Sequence, residues 1–264
     1  MDSADTASVI NDALTEPVPE MRGVPTLDVS LILGIKNPDK GKPEWINKAV
    51  IRELTGADEE YLASVEQKDD ITYGDYLSSV VARGTLSIGG VPVNGDRDVI
   101  DQLSLFDRDI LLLSLVRATY GEEREIVVSC PKCAHSNDVV IELSKDFPVT
   151  EPDFDISEGL SVKTSKGDVI LGFPKVGGIL PTNDMNVAEI NTDMLAKCVI
   201  LEEDKTVEER KEWARNLSIK DRRTLTEALL AVNIGPKLRE VNTQCARCGN
   251  DMPILLDWVS LLLG

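Results

Sequence analysis

Aromatic side chains are scarce in this chain, 4% of its 264 residues, and histidine occurs once, at His135. Surfaces that stack sugars or bases are built from aromatic rings, so the composition supplies such a platform poorly. One histidine leaves little room for general-base chemistry. His135 follows Cys133 by two residues, where the expected role is a solvated turn residue or a hydrogen-bond donor beside a metal ligand. Positive charge is in deficit as well: 28 Lys and Arg stand against 46 Asp and Glu, a formal net charge of −18. Phosphate backbones are held by Lys and Arg, so nucleic acid is not an expected partner.

Long apolar runs are missing too. Met1 to Met21 is acidic and has no apolar centre of the kind a secretory signal needs. Ile254 to Leu263 is interrupted by Asp257 and Ser260 and is far too short to span a bilayer. The expectation is a protein that is cytosolic when made and has no membrane partner. A phosphate loop is absent in the same sense, since Gly90 and Gly95 have its glycine spacing but are followed by Asp96-Arg97 where Lys and Ser or Thr are needed.

What the chain does have is two Cys-x-x-Cys pairs, Cys130-Pro131-Lys132-Cys133 and Cys245-Ala246-Arg247-Cys248. Together they offer four thiolates to one tetrahedral zinc ion, a closed structural site with no open position for chemistry. In a reducing compartment paired cysteines favour metal over disulfide. A dithiol redox protein is the competing reading, but that motif normally opens a helix within a βαβ unit, whereas both pairs here follow strand-like residues and are trailed by turn formers. The fifth thiol, Cys198, lies in Leu195-Ala196-Lys197-Cys198-Val199-Ile200-Leu201, which reads as buried helix, and a buried Cys behaves as a small hydrophobe.

Ala134 through Gln244 separate the two pairs, whereas a simple ribbon returns after about 15–20 residues. An internal repeat accounts for the distance. Leu103-Ser104-Leu105-Phe106-Asp107-Arg108 and onward to Gly121 reads against Leu217-Ser218-Ile219-Lys220-Asp221-Arg222 and onward to Gly235. The first Cys pair follows Gly121 after eight residues, and the second follows Gly235 after nine. Ser104 and Ser218 suit N-caps, with Asp107 and Asp221 three residues on in the first helical turn. Leu111 with Leu115, and Leu225 with Leu229, share a helical face, and the two glycines suit C-terminal stops. The Asp-Arg pairs are therefore structural, and no catalytic residue is assigned.

The expected organisation is a polar, acidic arm over 1–20, a first lobe over 21–150 with the first zinc knuckle, and a second lobe over 151–264 with the second knuckle and an apolar tail. The fold class is α+β: two diverged helical repeats with short β-hairpins, joined by a zinc-ribbon-like site of four cysteines. Strands are expected at Thr26 to Leu33, on either side of Gly89-Gly90, on both sides of the first knuckle, and as a hairpin across Ser165-Lys166-Gly167. Helices are expected from Gly56, over Asp75 to Arg83, Met194 to Leu201, Val207 to Asn216 and Lys220 to Val232. Pro38 to Pro43 reads as a turn, Glu44 to Leu54 fits a helix or an extended segment, and Pro253 to Leu263 fits a strand or a short helix. The tail residues Leu255, Leu256, Trp258, Val259 and Leu262 either dock a partner or complete the second lobe's core.

Three stretches carry a likeness to a known family: Leu54-Thr55-Gly56-Ala57-Asp58-Glu59-Glu60-Tyr61-Leu62, then Asp107-Arg108-Asp109-Ile110-Leu111-Leu112-Leu113 running through Arg117-Ala118-Thr119-Tyr120-Gly121, and Cys130-Pro131-Lys132-Cys133. Over roughly residues 50 to 145 the chain resembles the T-even-type baseplate hub assembly chaperones of contractile-tailed phages and related injection systems. The resemblance implies a structural or assembly protein without enzymatic activity. Its partners would be baseplate hub and tail proteins, and its place the virion tail baseplate or the host cytoplasm during assembly. A zinc-ribbon adaptor or nucleic-acid-associated protein unrelated to phage tails is the other alternative.

Overall fold

The protein is described here by a computed structural model covering residues 23–38, 44–66, 71–93, 95–178, 185–201, 205–238 and 240–263. The arm expected over 1–20 lies outside these residues, as does most of the turn expected at Pro38 to Pro43. The architecture is mixed helix and sheet, and every strand pairing is antiparallel.

β1 (Thr26–Lys36) and β2 (Trp45–Arg52) open the first half as an antiparallel pair with a bulge between Ser30 and Ile35. Glu44 to Leu54 is thus extended rather than helical: Ala49 and Ile51 are buried while their neighbours are not, the period of a strand. Gly34 sits in the bulge at φ +80°, and a Cβ there would lie 2.0 Å from the Ile46 carbonyl oxygen, so only glycine fits. α1 (Gly56–Glu66) and α2 (Tyr73–Gly84) follow, the second started by a reciprocal capping box between Thr72 and Asp75. β3 (Thr85–Ile88) and β4 (Val91–Pro92) complete a sheet of order β1-β2-β3-β4. After the short α3 (Arg97–Ile100), α4 (Leu105–Tyr120) packs across β1 and β2. The first Cys pair lies between β5 (Glu123–Ser129) and β6 (Ser136–Glu142), and α5 (Leu143–Asp146) closes the half.

Among the described residues the second half has fewer α-helices and strands. β7 (Leu160–Thr164) and β8 (Gly167–Leu171) form the expected hairpin. α6 (Val187–Cys198) runs directly into β9 (Val199–Ile200), which pairs with β8. The helix expected over Met194 to Leu201 therefore starts earlier, because Asn186 and Glu189 form a capping box, and stops sooner, because β-branched Val199 and Ile200 extend onto the sheet edge. α7 (Val207–Arg215), α8 (Ile219–Ala231), β10 (Glu240–Gln244), β11 (Asp251–Leu255) and α9 (Trp258–Leu263) complete the described chain. Pro253 to Leu263 is strand and helix in succession, with Asp257 accepting the N–H groups of Val259 and Ser260 at 2.8 and 3.0 Å to start the helix.

Ser104 and Ser218 cap α4 and α8 as expected. The aspartates three residues on do more than complete the caps. Asp107 accepts the N–H groups of Ile32 at 2.7 Å and Gly34 at 2.8 Å, as well as the Ser104 hydroxyl at 2.9 Å, and so ties the β1 bulge to α4. Asp221 accepts the N–H and hydroxyl of Ser165 at 2.8 and 2.5 Å and the Ser218 hydroxyl at 2.7 Å, tying the β7–β8 turn to α8. Gly121 ends α4, but Gly235 does not end α8, which stops at Ala231. Gly235 instead exchanges backbone hydrogen bonds with Thr150.

The main core joins the first sheet and α1, α2 and α4 to residues far along the chain. Ile254, Trp258, Leu261 and Leu262 are buried in the same cluster as Leu77, Val81, Leu111 and Leu115. The C-terminal segment is held there by the Tyr120 hydroxyl, which donates to the Leu262 carbonyl, and by Arg124, which donates to Leu261 at 3.1 Å. The tail thus packs against the core of the first half, while Leu255 is left 81% exposed. The second half has a smaller cluster of its own, including Leu171, Leu195, Cys198, Leu225 and Leu229. Among the described residues no helix is long and apolar enough to cross a membrane.

Candidate metal centre

Each Cys pair occupies the turn of an antiparallel hairpin, and the two turns have the same backbone hydrogen bonds. Cys130 N–H donates to the His135 carbonyl at 2.8 Å, and Ala134 N–H to the Cys130 carbonyl at 2.9 Å. Cys245 N–H donates to Asn250, and Gly249 N–H to Cys245, both at 2.9 Å. Closing each turn needs a left-handed residue: Gly249 at φ +66° in one, Ala134 at φ +54° in the other. Ala134 is the only non-glycine residue with positive φ among the described residues. Neither pair opens a helix, unlike a redox dithiol.

The turns face one another. The sulfurs of Cys130, Cys133, Cys245 and Cys248 all lie within 4.8 Å of one another and can hold a metal ion. Contacts cross from one hairpin to the other, Cys130 to Cys248 and Cys133 to Cys245, each at 3.7 Å. A disulfide requires about 2.05 Å, and all five cysteines are free. Cys130 and Cys245 are buried with Met252, Cys133 is half-buried, and Cys248 is exposed at the rim.

Crowding sets the protonation of the group. Burial pushes the Cys245 thiol up, but the backbone N–H groups of Cys248 and Arg247 and the neighbouring sulfurs outweigh it and bring it to about 6. The His135 N–H favours the Cys133 thiolate, but burial and the three other sulfurs prevail and raise it to about 11. Four adjacent sulfurs cannot all carry negative charge unaided; a cation that replaces their protons removes the conflict.

A family model described as T4 bacteriophage base plate protein matches residues 35–260. The chain belongs to this family. The match runs through both Cys pairs of the base plate protein, well beyond the stretch of roughly 50 to 145 that carries the sequence resemblance. Comparison with curated proteins and with solved structures gave no match.

The four cysteines singled out in the sequence converge, and Cys198 does not join them. It is buried at the end of α6, where burial pushes its thiol up to about 12 and leaves it unreactive. His135 serves the turn through its backbone. The residue that sequence reasoning missed is Asn137. Its side-chain carbonyl accepts the Ala246 N–H at 2.9 Å, while its amide donates to the His135 carbonyl at 2.9 Å and reaches the Met252 sulfur at 3.6 Å. One buried amide therefore stitches the first turn to the second. A signal was present: Asn137 and Met252 each stand four residues after the second cysteine of their pair.

Proposed function

We propose that the chain is a structural or assembly protein of a contractile-tail baseplate hub, working through protein–protein contacts, with one structural zinc ion at Cys130, Cys133, Cys245 and Cys248. The observation that carries the reading is the base plate family match through both cysteine pairs. Hub and tail proteins are its partners, and it acts in the virion tail or, during assembly, in the host cytoplasm.

Zinc is supported by the spacing of the sulfurs. Four thiolates placed tetrahedrally at about 2.3 Å from Zn²⁺ are about 3.75 Å apart, and the two cross-hairpin distances are 3.7 Å. When bound, the ion cross-links hairpins from opposite ends of the sequence and offers no open position for a substrate. Its role is to hold two lobes, 21–150 and 151–264, in register, the C-terminal segment of the second reaching back into the first. Duplication explains the two lobes: hairpin, helix running into a strand that pairs with the hairpin, capped helix with an anchoring Asp, and Cys-bearing hairpin occur twice in that order. Apolar residues left exposed on the second lobe, Ile219 and Leu230 on α8 among them, offer contact surface.

Mass measurement of purified tails tests the role, and elemental analysis of protein prepared without chelator tests the metal. The expected results are this chain in a fixed ratio to the tube subunit and one zinc per chain. Co-purification from infected cells with a nucleotide-processing enzyme, and no tail protein, would overturn the role; a metal-free protein with four reactive thiols would overturn the zinc.

A further inference from the structure

Two grooves follow one edge of the four-stranded sheet and one edge of the three-stranded sheet. Among the described residues β1 pairs with β2 on one side only, and along Thr26 to Ser30 its other side faces α4 across a cavity of about 630 Å³. β7 pairs with β8 on one side only, and along Leu160 to Lys163 its other side faces α8 across a cavity of about 870 Å³. The helix residues lining them correspond. Ile110, Ser114 and Arg117 line the first groove, and Thr224, Ala228 and Ala231 line the second, each offset as Ser218 is from Ser104. In each case the helix's Asp ties down one end of the hairpin that carries the edge strand.

The grooves differ in what borders them. The second is lined also by the chain's own Thr150 to Phe154, which precede β7. Thr150 is pinned by reciprocal backbone hydrogen bonds with Gly235 at 3.2 and 2.8 Å, and Phe154 stacks on Phe173 at 6.3 Å. The seated stretch begins Thr150-Glu151-Pro152 and leads through Gly159 into β7. The same tripeptide occurs at one other place in the chain, Thr15-Glu16-Pro17, leading through Gly23 towards β1.

We propose that Thr15-Glu16-Pro17 seats in the β1–α4 groove of its own chain, as Thr150-Glu151-Pro152 seats against the β7–α8 groove. The reach is sufficient, since the residues from Pro17 to Pro25 span up to about 26 Å when extended. Within the groove lining Arg117 is paired with Glu122 at 2.8 Å, so the fit rests on the matching tripeptide and its reach. Covering the edge in this way also answers the exposure of an unpaired strand to other chains. The inference rests on the duplication proposed above.

Hydrogen exchange on the full chain tests it. Backbone amides of residues 26–30 are compared in the native protein and in a variant carrying Thr15→Gly, Glu16→Ser and Pro17→Gly. The expected result is exchange at least tenfold faster in the variant, restored by a synthetic peptide of residues 14–21, while residues 160–163 are unchanged. Ser114→Arg, which fills the groove from the helix side, is expected to speed exchange similarly. Equal rates in native protein and tripeptide variant overturn the proposal, and so does protection that appears only with rising protein concentration, which would mean exchange between copies. Failure of residues 103–121 and 217–235 to superpose in an experimental structure would remove the duplication; unchanged exchange in a protein whose halves do superpose removes the docking alone.

Discussion

α4 and α8 begin in the same way and end up in different surroundings. Each is capped by a serine, and each carries an aspartate at the third position that reaches a hairpin of its own sheet. α4 then buries Ile110 to Leu113, Leu115 and Val116 in a core shared with the first sheet and with α9 from the far end of the chain. α8 buries Leu225 and Leu229 and leaves Ile219 88% and Leu230 71% exposed. Capping fixes where a helix starts, and by itself contributes about 1 kcal/mol. How much the helix contributes beyond that depends on what its other face meets, and here the second half meets much less.

The largest expected effect follows from this imbalance. The zinc ion proposed above would contribute on the order of 10 kcal/mol of apparent binding energy, and the half with the smaller core would depend on it more. Cys245→Ser, or a chelator, is expected to lower the melting temperature sharply, with amides of α8 losing exchange protection before those of α4. Simultaneous loss in both helices would show that the halves unfold as one unit.

Paired truncations sharpen the comparison at fixed chemistry. Leu111 and Leu225 occupy corresponding places and are both fully buried. Leu→Ala in a core costs about 2–5 kcal/mol, less where the surroundings can close over the gap. Leu111→Ala is expected near the top of that range and Leu225→Ala near the bottom, read from chemical denaturation of the metal-loaded protein. A larger cost at Leu225 would reverse the assignment of the weaker half.

Much of this was legible in the sequence because it is local. Serine caps, the Gly89-Gly90 turn, the hairpin at Ser165-Lys166-Gly167 and the convergence of the two Cys pairs all follow from short-range stereochemistry or from metal-ligand spacing. What was not legible depends on distant partners. Val199 and Ile200 read as helix until β8 offers them an edge. Gly235 reads as a helix stop until Thr150 pairs with it. Trp258 and Leu262 read as exposed or as part of the second half until the first half's core receives them. Asn137 looks like any strand-start asparagine until Ala246, from the other hairpin, donates to it.

The two anchoring aspartates should also part company in acid. Ser165 and Ser218 hold the Asp221 carboxyl at about 2, below its unfolded value of about 3.9. Its contribution is complete above the unfolded value and is lost as pH falls from about 4 through about 2. Asp107 has the opposite sign: burial raises its carboxyl although Gly34, Ile32, Ser104 and Leu33 donate to it, so protonation favours the folded form. Asp58, which burial pushes up but Arg52 and Thr55 pull well below the carboxylate range, adds to the acid loss in the first half. Melting temperatures between pH 5 and 2 are expected to fall less steeply for Asp221→Asn than for the native protein, and no less steeply for Asp107→Asn. An acid limb flattened equally by both would contradict the opposed shifts.

The smallest effect separates the two cysteine-bearing turns. Their hydrogen bonds match, yet the left-handed position is Gly249 in one and Ala134 in the other. A Cβ in that region costs about 1–2 kcal/mol, while glycine regains about 0.4–1 kcal/mol of unfolded-chain entropy that alanine does not have. Nothing stands within 4 Å of where a Cβ on Gly249 would sit, so the penalty there is conformational and not steric. Ala134→Gly is therefore expected to raise stability by about 0.5–1 kcal/mol and Gly249→Ala to lower it by a similar amount, with metal content unchanged in both. Thermal melts of the metal-loaded protein read the difference. Should Ala134→Gly destabilise instead, the first turn would owe its shape to packing around the Ala134 methyl, and the equivalence of the two turns would be one of backbone alone.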